Sequence, residues 1–180
     1  MDKVLTAIVE LMTALVADSS SPLYFTDVTT TPHGVRSVFL GDPNQIPADD
    51  FPTVIVRPVN TVIEKEATKY DQKTHTVEVV IVDNLRNYSE SSPTDPRKVQ
   101  SLATMMSMME GTNTSQGTSG KSIAGKILAN PKLPYTSGGT KYAAIATHLE
   151  SIDYVFNTSR GFPTFEVIAQ FRVISQGDRA

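Results

Sequence analysis

Hydrophobic residues near the start of the chain recur at the spacing of one helical face. They stand at Val4, Leu5, Ile8, Leu11, Met12 and Leu15. Steps of three and four residues place these side chains along one stripe, which predicts an amphipathic helix packed on a core. The serine-rich segment 18–22, which closes with a proline, ends this pattern. Glu10 interrupts the apolar stretch, which argues against a secretory signal peptide.

Alternating residues then predict three strands. The first two cover residues 35–40 and 53–57, with a proline- and aspartate-rich loop between them and Pro58 stopping the second. The clearest signal is "KTHTVEVVIVDN", residues 73–84, which places valines and isoleucine on one face. Some valines also fall on the other face, so that face is predicted to be partly covered.

A second helix is predicted to end at Gly111. Met105 and Met109 share its inner face and are expected in the core. Met106 and Met108 belong to the same cluster of four methionines but cannot point inward together with Met105 and Met109. Met106 and Met108 are therefore a candidate subunit interface. Two alternating strands close the chain, joined by the hairpin connection "NTSRGFP", and residues 176–180 are predicted to be a frayed tail.

The order of predicted elements is α, β, β, β, α, β, β. Short connections favour antiparallel pairing. We therefore predict a single α+β domain over residues 1–180, with a mainly antiparallel sheet, two helices packed on one face and a long Gly/Ser-rich excursion. The length of 180 residues suits one domain with one sizeable core.

The excursion, residues 111–141, is predicted to be a long loop or arm. It contains no acidic residue, in a chain whose net charge is −3. Its four lysines are Lys121, Lys126, Lys132 and Lys141. Two interpretations stay open: a solvated flexible segment, or an arm that faces a partner or DNA. An independent nucleic-acid-binding module that uses these lysines is a further alternative.

Within the excursion, "NTSQGTSGKS" ends as a nucleotide-binding P-loop ends. That motif requires a glycine at the position of Ser115, and a strand before it where a helix is predicted here. An NTP-binding enzyme that uses this degenerate loop is therefore the disfavoured alternative. A hydrolase is disfavoured as well, because the sequence contains no Gly-x-Ser-x-Gly nucleophile elbow.

Other chemistry finds little support in the residues. Cysteine is absent, which removes disulfides and thiolate sites. His33, His75 and His148 lie far apart, and the strand positions of the last two predict that they face each other across the sheet. The acidic loop at residues 42–50 lacks the EF-hand spacing. We predict no catalytic residue, no metal and no cofactor. No apolar run approaches the length of a membrane helix, so no membrane partner is predicted.

The middle of the chain carries one further pattern, made of Gly41-Asp42-Pro43, Phe51-Pro52, Val54, Val56, Pro58, Tyr70-Asp71 and Val77 through Val82. In these residues the chain resembles the tail terminator (tail completion) proteins of long-tailed bacteriophages. In element order the resemblance covers about residues 1–110 and 143–175, whereas residues 111–141 are longer than the family pattern needs.

The resemblance implies a structural virion protein and no enzyme. It implies a homo-oligomeric ring, expected to be a hexamer, at the head-proximal end of the tail and assembled in the host cytoplasm. Such a ring caps the tail tube protein, ends its polymerisation and meets the head–tail connector or neck protein, while genome DNA passes through the lumen without sequence-specific binding. A neck or head-closure protein is the alternative within the same class.

Overall fold

The N-terminal hydrophobic stripe forms helix α1 (Asp2–Ala17) in the computed structural model, and all six predicted stripe residues are buried. The prediction of a core-packed helix is therefore confirmed. The structure describes residues 2–24, 34–43, 46–47, 50–65, 70–84, 105–111, 121–136, 140–158 and 163–178. None of the helices in these ranges is long and apolar enough to span a membrane.

A five-stranded sheet forms the centre of the domain. Its members are β1 (Ser37–Leu40), β2 (Thr53–Lys65), β3 (Tyr70–Asn84), β6 (Ala146–Asn157) and β7 (Thr164–Asp178). Their order across the sheet is β1-β2-β3-β7-β6. Every neighbouring pair is antiparallel except β1 with β2. The predicted α+β class with a mainly antiparallel sheet is confirmed.

The parallel pair β1–β2 departs from the expectation of antiparallel neighbours. Parallel neighbours need a crossover of about a dozen residues, whereas a hairpin needs two. Residues 41–52 supply that length between the two strands. Gly41 begins the crossover with a φ of 81°, a value that glycine adopts without strain.

Three helical segments pack on one face of the sheet, which we call the core face. They are α1, α2 (described over residues 105–110) and α3 (Ile123–Ala129). Gly111 follows α2 with a φ of 89°, as predicted for a glycine that ends a helix. The remainder of the predicted second helix lies outside the described residues. Sequence analysis expected two helices on this face and missed α3.

The opposite face is partly covered, as the second row of valines predicted. Val80 and Val82 of β3 are fully buried there with Ile55, Ile46 and Phe51. The last two belong to the crossover, which folds back over this face. The polar part of the same face carries an ion-pair group centred on Arg57. Nε of Arg57 lies 2.7 Å from Oε2 of Glu78, and Nη1 of Arg57 lies 3.0 Å from Oδ2 of Asp42.

Two predicted boundaries are wrong because a neighbouring strand supplies a partner. Strand β2 continues past Pro58 to Lys65, with a bulge between Pro58 and Asn60. An edge strand tolerates proline because its outer side needs no N–H donor. At the C-terminus, residues 176–178 are not a frayed tail, since they pair with residues 70–72 of β3.

The description of residues 111–141 as a long loop or arm also fails over its described part. Residues 123–129 form α3, whose Ile123, Ala124 and Ile127 are buried in the main core. A small hairpin follows, made of β4 (Pro134–Thr136) and β5 (Thr140–Tyr142). The backbone N–H of Thr136 donates to Oε2 of Glu10 at 2.9 Å, which ties this hairpin to α1.

Candidate assembly surfaces

The four lysines of the predicted arm occupy two places in the structure. Lys121 and Lys126 lie close to Asp18, whose pKa is lowered by hydrogen bonds from Ser20 and, to a smaller extent, by these two positive charges. Lys132 places its Nζ 5.9 Å from the ring centroid of Tyr142, and Lys141 is the residue before that tyrosine on β5. Lys126 lies on α3 and Lys141 on β5, whereas Lys121 and Lys132 lie in the turns that flank α3, so these four lysines do not form one continuous loop. Whether they face a partner or DNA stays a prediction.

Ser122, the last residue of the P-loop-like stretch, is buried and serves as the N-cap of α3. Its Oγ accepts a hydrogen bond of 3.1 Å from the backbone N–H of Gly125. This hydroxyl thus satisfies the start of a helix of only seven residues.

The change Ser122→Ala is expected to lower the free energy of unfolding by about 1 kcal/mol, because alanine cannot accept the capping hydrogen bond. Urea denaturation measures the difference. Ser19→Ala, the same change at an exposed turn position, is the control and should leave stability nearly unchanged. Equal stability of the two variants would contradict the capping role.

The division of the four methionines between core and surface differs from the prediction. Met105 and Met109 are buried in the core, as expected, but Met108 is buried with them at 1% exposure. Met106 is 38% exposed. Of the two methionines proposed for a subunit interface, Met108 is unavailable and Met106 remains.

His75 connects three neighbouring strands by hydrogen bonds. Its Nδ1 lies 3.0 Å from Oγ1 of Thr61 on β2, and its Nε2 lies 2.8 Å from Oγ of Ser175 on β7. Burial and, to a smaller extent, the positive charge of Lys73 lower the pKa of His75 to about 4, so the imidazole is neutral at pH 7. His148 is exposed on the opposite face, so the predicted facing pair of histidines is wrong.

A cavity of about 380 Å³ lies beside this histidine, between the first turn of α1, the β4–β5 hairpin, β3 and β7. Its lining includes Lys3, Lys73, Tyr142 and Ser175. A serine beside a histidine resembles part of a hydrolase triad, but the third partner here is a threonine hydroxyl and not a carboxylate. An imidazole with a pKa near 4 is also a weak general base. The hydrogen-bonded chain of Thr61, His75 and Ser175 links β2, β3 and β7.

No group of three or more His, Asp or Glu side chains within the described ranges is arranged to hold a metal ion.

The exposed apolar side chains of the sheet gather at its two edges. On β2, Val59, Val62 and Ile63 are about half exposed. On β6, Tyr154, Val155 and Phe156 are exposed, and Phe156 reaches 72%. The ring of Phe156 rests on Phe165 of β7 with centroids 4.9 Å apart, which holds it in place at the surface. Sequence reasoning missed both edges as candidate sites, because alternation shows which side chains share a face but not which strands lie outermost.

In the comparisons with known proteins, no protein-family model and no curated protein matches the chain.

Proposed function

We propose that this protein is a structural virion subunit that assembles into a homo-oligomeric ring. The ring caps a phage tail tube, ends polymerisation of the tube and joins it to the head connector. The proposal rests on the family resemblance in residues 41–82 and on the exposed apolar side chains at the edges of the sheet.

The observation that carries the proposal is the pair of sheet edges that no strand of the described residues covers in full. The strand order places β6 at one edge, while β1 covers only residues 53–56 of β2 at the other. Each edge combines backbone without a strand partner, as far as the structure describes the chain, with exposed apolar side chains. Soluble monomers usually blunt such edges, since an exposed apolar edge invites pairing with another chain. Two edges on opposite sides let each subunit bind two neighbours, as a ring requires.

A neck or head-closure protein would use the same surfaces, so it remains the alternative within the class. The NTP-binding alternative stays disfavoured on its sequence, because Ser115 stands where the P-loop motif requires a glycine.

Purified protein is expected to elute as a ring of several chains, with six times the 19.6 kDa subunit mass as the leading value. Light scattering on the eluting peak gives the mass, and negative-stain microscopy shows whether the particle is annular. Adding the protein to polymerising tail tubes should shorten them and place one ring at a tube end. A chain that stays monomeric at every concentration and leaves tube length unchanged would refute the proposal.

A further inference from the structure

The two sheet edges run in opposite directions. Along the order β2-β3-β7-β6 each neighbouring pair is antiparallel, so β2 and β6 point opposite ways. If a second copy stands beside β6 in the same orientation, its β2 therefore meets β6 in the antiparallel sense. The sheet can then continue from copy to copy with the same alternation and with all core faces on one side.

Local features leave only part of each edge suitable for pairing. On β2, Pro58 lacks a donor and a bulge follows it, so regular structure resumes at Asn60. On β6, a bulge lies between Leu149 and Ser151. The regular segments are therefore residues 60–64 of β2 and residues 151–156 of β6. Most of the exposed apolar side chains of the edges lie within these two segments.

The side chains of the two segments alternate in a matching way. On β2, Ile63 pairs with Lys73 and points to the core face, whereas Val62 points to the opposite face. On β6, Phe156 pairs with the core residue Phe165, and Val155 points to the opposite face. Each segment thus presents an apolar residue on both faces. Antiparallel partners meet on the same face, so each face of the junction can bring apolar side chains together.

We propose that residues 60–64 of one copy pair in antiparallel fashion with residues 151–156 of the next copy. This inference rests on the proposed ring function and names the contact that builds the ring. The β2 edge of one copy binds the β6 edge of a second, identical chain. The two surfaces in the contact are different, so the contact is head-to-tail and not two-fold symmetric.

The contact also sets the shape of the assembly. Residues 60–64 lie level with residues 72–76 of β3, whereas residues 151–156 lie level with residues 78–83 of the same strand. Each copy is therefore displaced along the strand direction by about six to seven residues, or roughly 20 Å at about 3.3 Å per residue. In a closed sheet such a stagger goes with tilted strands, so the strands are inclined to the ring axis.

The test uses two lysine variants of the full chain. Ile63→Lys alters only the β2 edge, and Phe156→Lys alters only the β6 edge; both side chains are more than half exposed, so the fold should survive. Each variant alone should remain monomeric at concentrations where the parent forms rings. An equal mixture of the two variants should form dimers and no larger species. The unaltered β6 edge of the Ile63→Lys chain can pair with the unaltered β2 edge of the Phe156→Lys chain. The other two edges of that dimer each carry a lysine, so they cannot add a further copy.

Ile145→Lys is the matched control, since Ile145 is 52% exposed and Ile63 is 54% exposed, yet Ile145 lies outside both segments. It should assemble as the parent does. Mass photometry reads the species, and circular dichroism with thermal unfolding confirms that each variant is folded. Rings formed by either edge variant alone, or a mixture that yields no pairs, would overturn the edge contact while the ring function stands. A parent chain that never assembles would overturn both.

Discussion

Replacing Ile127 with alanine is expected to lower the free energy of unfolding by about 2–5 kcal/mol. Ile127 lies in α3, is fully buried, and belongs to the main core that α1 and the sheet also form. Truncation removes apolar burial and leaves a cavity that close-packed neighbours fill only in part. Chemical denaturation followed by circular dichroism measures the loss.

The control for this prediction is Lys126→Ala, which changes the adjacent residue of the same helix. Lys126 is half-buried and is not one of the apolar residues of the core, so the expected change is within about 0.5 kcal/mol. Similar stabilities for the two variants would show that residues 123–129 do not belong to the core. The comparison therefore separates a packed helix from the flexible arm that the composition of residues 111–141 suggests.

Lowering the pH from 6.5 to 4 is expected to destabilise the fold through His75. The folded pKa of about 4 lies below the ordinary value of 6.5, so the unfolded chain takes up the proton first. Stability from this group is complete above pH 6.5, falls between pH 6.5 and 4, and falls no further below pH 4. The total is about 3 kcal/mol, at 1.36 kcal/mol per pKa unit.

Urea titrations at several pH values between 7 and 4 measure this loss. Carboxylates contribute their own slope as they titrate, so the comparison is between variants. His75→Gln removes the titrating group and should flatten the pH dependence relative to the parent. His148→Gln removes an exposed histidine of the same sheet and should preserve it. An unchanged slope in His75→Gln would rule out the buried neutral imidazole as the cause.

Local patterns predicted the elements whose signal lies within a few neighbouring residues. The stripe from Val4 to Leu15 needed only helical spacing, and the alternation in residues 73–84 already indicated that the second face of β3 is partly covered. Gly111 as a helix end followed from the freedom of glycine at positive φ. These features depend on the backbone near each residue, so they could be predicted without knowing the fold.

The errors concern features that distant residues decide. The composition of residues 111–141 suggested a solvated segment, but the apolar residues of α3 are placed in the core by packing against α1. Strand β2 passes Pro58 because β3 offers a partner on its inner side, and β7 extends to Asp178 because β3 begins at Tyr70. Met108 was predicted near the surface, yet the core accommodates it.

The sequence by itself determined the α+β class, the core-facing stripe of α1 and the two apolar faces of β3. It also excluded cysteine chemistry and disfavoured a P-loop. The tertiary structure alone decided the order of the strands, and with it which backbone and side chains lie at free edges. The reason is physical: side-chain periodicity reports the face of a strand, but an edge exists only relative to neighbours that are remote in the chain. The proposed assembly surfaces on β2 and β6 could therefore emerge only from the folded sheet.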